Sequence, residues 1–427
     1  MTIISLEYPS ENGKMTAGGL KIRLRIQTGI NNGECIRVND SRFKAIESFL
    51  DTRHKEMIHL LEHIVNIDSF THDREGVNRV GKALTDCLSR FDIACHSKKN
   101  EKYGDHIVAY RKGSKPGKIL LMGHMDTPHP PGTVQKRPFT EDGIYAYGPG
   151  VADMKSGLVS MIYAVAALQQ SGVETSDIEI LLTPDEEIGS PVSRAIIEEK
   201  AKDASAVFNL EAGRPNGAVV TGRNGSAHFA FEIAGKAAHS GLCIEEGVSA
   251  IEELGYKIIE LKKLSAPEKD ISVNVGVVKG GIHTNVVAPQ ASGTIHVGFG
   301  SLEAYNTTLS QITTIINNSY VPGTVSKLTG NIGMLPMEKT GGVSKMYEIV
   351  KQAAELLDIP LSEMRTRGAA DAGFPASLGI PTICGMGPVG GKYHSVDEYM
   401  VLESFLPRIK MLALSIAISS GRIGEKL

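Results

Sequence analysis

Histidines and carboxylates recur in five short segments of this 427-residue chain: Gly123-His124-Met125-Asp126, Ala152-Asp153-Met154-Lys155, Asp185-Glu186-Glu187, Leu210-Glu211 and Tyr393-His394-Ser395. Two divalent ions that share a bridging carboxylate need about this inventory of imidazoles and carboxylates. Four of the segments follow runs rich in β-branched and aliphatic residues, such as Ile119-Leu-Leu-Met122, where a buried strand would end. Ligands delivered from successive strand ends predict a metallohydrolase.

Each segment has a chemical reading. His124 and Asp126 sit two apart on an extended run, so their side chains share one face. One can ligate while the other accepts the imidazole's second N–H and fixes its tautomer. Asp153 precedes a helix start near Lys155–Gly157 and has two oxygens with which to bridge. Glu186 and Glu187 are adjacent at a strand end and point different ways, which suits one ligand and one general base on an attacking water. Glu211 and His394 would complete two coordination spheres.

The elements that must hold these residues follow from periodicity. Residues 20–27 alternate strictly, and Asn31-Asn32-Gly33 is a turn into Cys35–Val38, which predicts an N-terminal hairpin suited to an oligomer contact. One helix is expected from Phe43 to Ile67. From residue 80 the pattern alternates strand and helix, which implies a mostly parallel sheet covered on both faces. Between about 223 and 336 the order becomes βαββα, as in a small α+β sandwich. The β/α pattern then returns and carries His394 back to the first sheet. The expected fold is therefore an α/β catalytic domain with an inserted α+β lid and dimerisation domain. The boundaries are 1–42 for the hairpin extension, 43–222 and 337–427 for the catalytic parts, and 223–336 for the lid.

Composition narrows the class. The length exceeds one core and favours two domains. A formal charge of -3 lacks the basic footprint of a nucleic-acid binder. No apolar run reads as long enough to span a bilayer, and no signal peptide is visible. Five scattered cysteines without a CxxC pair fit reduced thiols in a cytoplasm.

In combination and order, the five segments resemble the M20-type dinuclear zinc metallopeptidase family, with its carboxypeptidase, aminoacylase and desuccinylase branches. The similarity covers about residues 50 to 425. It implies His124, Asp153 and Glu211 around one ion, and Asp153, Glu187 and His394 around the other. Zinc is the expected metal, with manganese or cobalt as alternatives. The same resemblance implies that Asp126 orients His124 and that Glu186 is the general base. Gly235-Lys-Ala-Ala-His239-Ser-Gly241 is similar to a family motif whose histidine reaches into the partner subunit's site and stabilises the oxyanion, so a homodimer or higher oligomer is implied. His283-Thr-Asn285 resembles a second contact to a small-molecule substrate. Arg223, Arg365 and Arg367 are candidate anion contacts, and Gly368-Ala-Ala-Asp371 resembles a substrate-side segment.

The chain also departs from that pattern. Pro149 stands in the glycine-rich lead-in to Asp153, and Met154-Lys155-Ser156-Gly157 follows it. Carboxypeptidase-type members tend to end the lid strand on an arginine that clamps the substrate carboxylate. Here the strand reads Ile295-His296-Val297-Gly298-Phe299, and neither histidine nor lysine reproduces a guanidinium fork. Glu211, where aminopeptidases of the family often have Asp, points toward carboxypeptidase or deacylase activity. The expected reaction is hydrolysis of an amide C–N bond. The alternative, prompted by Gly298, is hydrolytic deamination of a small aromatic amine. His59-Leu-Leu-Glu62-His63 has the form of a zinc-protease helix but reads as the solvent face beside a buried Ile58, Leu61 and Val65 stripe. Gly148-Pro-Gly150 lacks the endings of a phosphate loop.

Overall fold

A computed structural model describes residues 41–422, so the expected hairpin lies outside the described residues. The main sheet has six strands in the order Ala94–Lys98, His106–Arg111, Ser176–Thr183, Lys115–His124, Ala206–Asn209 and Thr382–Ile383. The last four run parallel, and the first two add antiparallel at one edge. Ile119–Met122 and Ile178–Leu182 are buried throughout because helices cover both faces, which is why they read as continuous apolar runs rather than alternations.

The helix Ser156–Gln170 is buried from Ser156 to Leu168 and packs against the C-terminal helix Leu402–Arg422. A helix apolar on every side belongs in a core. Residues Val151–Gln170 are long and apolar enough to cross a membrane, contrary to the sequence reading, yet almost all of that stretch is buried inside the protein. The single helix expected over 43–67 is two, Ser41–Thr52 and His54–Val65, parted at Arg53 with φ −108° and ψ 7°. The buried stripe Phe43, Ile46, Leu50, Met57, Leu61 and Ile64 continues across the break, so hydrophobic periodicity alone could not reveal it. His59, Glu62 and His63 face solvent.

Residues 225–334 build a second sheet, ordered Ser272–Gly280, Gln290–Phe299, Gly225–Ala234 and Val325–Met334, antiparallel throughout. Helices Ala250–Lys262 and Leu302–Asn317 cover one face and enclose a hydrophobic cluster with Phe229, Phe231, Ile295 and Phe299. Ser249 and Ser301 cap these helices by accepting from Glu252 and Ala304 N–H. Lys257 is fully buried, ion-paired to Glu253 at 2.6 Å. It donates to the carbonyls of Ile315, Ile316 and Asn318 at the end of the second helix. The order is βαββαβ: the sequence reading lacked the last strand. Where the chain enters and leaves this unit, Arg223 and Met337 exchange backbone hydrogen bonds of 2.9 and 3.1 Å.

Candidate metal centre

Three neighbouring parallel strands end side by side, and the residues that follow them share one edge of the sheet. Such edges are where open α/β sheets bind ligands. Lys115–His124 presents His124, Ser176–Thr183 leads to Glu186 and Glu187, and Ala206–Asn209 leads to Glu211. Asp153 arrives on the loop before the core helix, after Gly150 in a left-handed conformation at φ 73°. His394 stands between the short strands Gly390–Gly391 and Tyr399–Val401, also left-handed at φ 61°.

Asp153 is the pivot. Its Oδ1 lies 3.2 Å from His124 Nε2 and its Oδ2 lies 3.4 Å from His394 Nε2. Glu211 Oε1 is 3.7 Å from His124 Nε2, and Glu187 Oε2 is 3.1 Å from His394 Nε2. Two donor triads result, His124–Asp153–Glu211 and Asp153–Glu187–His394, each with its ligand atoms within 4.8 Å of one another. Glu186 Oε2 is 3.9 Å from His124 Nε2, and a third grouping joins it to His124 and Glu187.

The surroundings hold this array in place. The Asp126 carboxylate lies 3.3 Å from His124 Nδ1 and accepts from Thr71 Oγ1 at 2.7 Å. It also accepts from the backbone N–H groups of Glu186 and Glu187, each at 3.2 Å. One buried acid therefore aims the imidazole and the loop that carries both glutamates. Glu398 serves Asp153 in the same way, accepting from the N–H groups of Gly150, Ala152 and Asp153 at 3.0 Å each and facing His129 Nε2 at 3.2 Å. Asp185 accepts from Ser193 Oγ and from Val192 N–H, and Ser193 lies 2.9 Å from His106 Nε2. Burial pushes the His106 imidazole down to about 4.

Electrostatics favours a cation here. Burial, with Glu211 and Glu187 nearby, drives the Glu186 carboxyl well above the usual carboxylate range, against the pull of His124. Burial likewise brings Glu187 to about 7 despite its hydrogen bond with His394. Hydrogen bonds donated to Asp153 and Glu187 hold His394 up at about 10. Burial alone would depress His124, yet its bonds to Asp126 and Asp153 raise it well above the ordinary histidine value. Glu187 Oε1 is buried without a hydrogen-bond partner. Crowded buried carboxylates and an orphaned oxygen are the features that bound divalent cations would satisfy, so the residues fit a pair of ions.

The remaining candidates fall in three places. Arg223 is buried behind Glu211, 3.4 Å from its Oε2, and donates to the carbonyls of Gly368 and Ala369. Asp371 is buried beneath the site and accepts from Ser190 and Thr183 hydroxyls. Both are engaged by protein groups rather than open to a substrate. Arg367 lines the cleft above the glutamates, and its guanidinium also faces Asp270 at 3.6 Å. His239 and Asn285 are exposed and adjacent, joined through Ser240 N–H donating to the Asn285 carbonyl at 3.0 Å, and neither lines the cleft that holds Glu186, Glu187 and His394. The sequence pattern gave no sign of Glu398 or Thr71, and it held Asp185 in a ligand segment without a role. The free N–H groups of the Gly148–Asp153 loop signal that an acceptor is needed but do not say which one.

A parallel sheet edge bearing two donor triads that share one carboxylate, with a glutamate beside them, defines a metallohydrolase. The comparisons place it. The profile of Peptidase family M20/M25/M40 matches residues 120–417. Carboxypeptidase G2 of Pseudomonas sp. (strain RS-16) is 30% identical over 376 residues, covering 86% of this chain and 89% of that protein. Among solved structures, the aminopeptidase PepT from Bacillus cereus superposes with a TM-score of 0.74 at 22% identity, covering 86% of this chain and 98% of that one. A dinuclear metal-binding M20 peptidase of Bacillus subtilis gives 0.67 at 17% identity, covering 87% and 99%. The chain belongs to the M20 peptidase family and is a hydrolase of amide C–N bonds. The aromatic-amine deaminase reading finds no support in these relatives.

Proposed function

We propose that this enzyme uses two divalent ions, zinc in the first instance, to hydrolyse the amide bond of a peptide or N-acyl amino acid, as a carboxypeptidase or deacylase. The observation that carries the reading is the pair of triads sharing Asp153, with Glu186 left over beside them. His124, Asp153 and Glu211 would hold one ion, and Asp153, Glu187 and His394 the other. Bound there, the ions would polarise the scissile carbonyl and lower the pKa of the attacking water. Glu186 lines the cleft and its carboxylate is pushed toward higher pKa by burial. A base so tuned takes the water's proton and passes it to the leaving nitrogen. Asp126 keeps His124 and the Glu186 loop aimed, and Arg223 does the same for Glu211. Of the three candidate arginines, Arg367 is the one that lines the cleft.

The oxyanion role of His239 and the substrate contact of Asn285 require a second copy, because neither residue lines its own subunit's cleft. Exposed apolar side chains on the inserted unit support that assembly: Ile251 and Ile259 on one helix are 47% and 59% exposed, and Val277 and Val278 on the strand Ser272–Gly280 are 53% and 50% exposed. That strand, Ser272–Gly280, is paired on one side only, which leaves an edge for a copy to meet. The four described cysteines are unpaired, which suits a reducing compartment such as the cytoplasm.

The test is a panel of dipeptides and N-acyl amino acids incubated with zinc- or manganese-loaded protein, with released amine and ammonia measured separately. Amine release abolished by chelation is expected; ammonia without amine would overturn the reading. For the shared site, His239→Ala mixed with Glu186→Ala should regain activity in heterodimers, and none in proven heterodimers would refute it.

A further inference from the structure

We propose that His228 and His296 form the subsite that receives a carboxylate of the substrate and so set the specificity of the amide hydrolysis, a step that rests on the function proposed above. The two residues are direct cross-strand partners in the second sheet, with ring centroids 5.0 Å apart and planes at 60°. Asn331 pairs with His228 on the far side, and Asn274 pairs with His296 on the other. All four side chains are exposed on the face away from the helices, so a row of hydrogen-bonding groups crosses the whole sheet. Among the described residues, neither imidazole has a protein hydrogen-bond partner.

Position and charge both point to an anion. The pair lines the same cleft, of about 1010 Å³, as Glu186, Glu187 and His394. It also borders a hollow of about 450 Å³ further along the sheet. A substrate with its scissile bond at Glu186 can therefore extend its far end to the imidazoles. Apart from the two glutamates, the other charged side chains of the cleft are His394, Arg194 and Arg367, and no further carboxylate among the described residues lines it. Arg194 is held by Glu198 at 2.8 Å, and Arg367 donates to the Pro267 carbonyl at 2.9 Å. The imidazoles are the uncommitted donors. Gly298, on the same face two residues beyond His296, offers nothing: a Cβ there would come within 2.6 Å of Ser272 Oγ.

The electrostatics adds a signature. Burial, and then the neighbouring His228, holds the His296 imidazole below the ordinary histidine range. The charged groups facing it across the cleft are Glu186, Glu187, His394, Arg194 and Arg367. An entering carboxylate raises the imidazole pKa. Its affinity therefore falls as rising pH takes the proton from the imidazole, whereas that of a matched carboxamide does not.

The experiment compares zinc-loaded wild type with His228→Ala, His296→Ala, the double variant and His296→Gln. Glutarate against glutaramide is followed by thermal shift, and the best panel substrate against its carboxamide by kinetics. Loss of one charge-assisted pair is expected to cut the acid-over-amide preference roughly tenfold to a hundredfold, mostly through KM. His296→Gln should restore part of the preference without its pH dependence. Retained preference in the double variant at unchanged thermal midpoint would overturn the proposal. So would a drop in bound metal per chain, which would make the pair a cation site. Because glutarate binding needs no turnover, an inert panel would sink the hydrolase reading and leave this one separately testable.

Discussion

The two sheets treat their polar residues in opposite ways. At the edge of the parallel sheet, His124 and Asp126 are buried with side-chain exposures of 1% and 0%, and the loops bearing Asp153 and the two glutamates are each tied down by a further acid. On the outer face of the antiparallel sheet, His228, His296, Asn274 and Asn331 stand exposed on regular strands with no such supports. The first arrangement fixes geometry and tolerates little change. The second can vary its side chains without disturbing the strands beneath. Reaction and recognition thus sit on different scaffolds, facing each other across one cleft.

The sharpest way to break this contrast is at Glu186. Glu186→Gln should lower kcat roughly a hundredfold to ten-thousandfold while metal content, measured by atomic emission, stays at the wild-type level. Asp126→Ala comes next. It removes the carboxylate beside His124 and the acceptor of two backbone N–H groups, leaving His124 Nδ1 only the Asp126 carbonyl at 3.0 Å, so divalent-ion affinity by competition with a chelating dye should fall about tenfold to a hundredfold. Glu398→Gln leaves buried N–H groups short of an acceptor, and denaturant unfolding of the metal-free protein should show a loss of about 1–3 kcal/mol. An unaltered unfolding curve would mean that the Asp153 loop holds itself.

His106 supplies a test by pH. Its folded-state value is lowered by burial to about 4, below the ordinary unfolded histidine value, so the unfolded chain binds the proton first. Stability is then complete above the unfolded value and is lost as pH falls through about 4. His106→Gln should flatten that acid limb, and an unchanged limb would refute the assignment. The smallest effect belongs to the solvent face: His59→Ala with His63→Ala should shift stability by no more than about 0.5 kcal/mol and leave metal content alone.

Strand ends and ligand segments were readable because both obey local rules. A continuous apolar run followed by an acid or histidine marks the end of a buried parallel strand, and His124, Glu186, Glu187 and Glu211 each satisfy it. What escaped is non-local or weakly patterned. Glu398 meets the Asp153 loop across 245 residues, and Thr71 meets Asp126 across 55. Val325–Met334 escaped because Gly330 and Gly333 interrupt it and most of its side chains are not buried, so its alternation is faint. The helix break at Arg53 carries neither glycine nor proline. The roles of His228 and His296 depend on a register that pairs strands 68 residues apart, which periodicity within either strand does not encode.

The paired backbones of Arg223 and Met337 have a consequence for how such an enzyme can be remade. Two peptide groups already in hydrogen-bond contact bound the whole inserted unit, which has a hydrophobic core of its own. Bridging them with a short turn would close only a small loop, at little entropic cost. The module between them thus joins the chain at one place, and exchanging it would leave Arg365 and Arg367 as the side chains that must find new partners in place of Asp270.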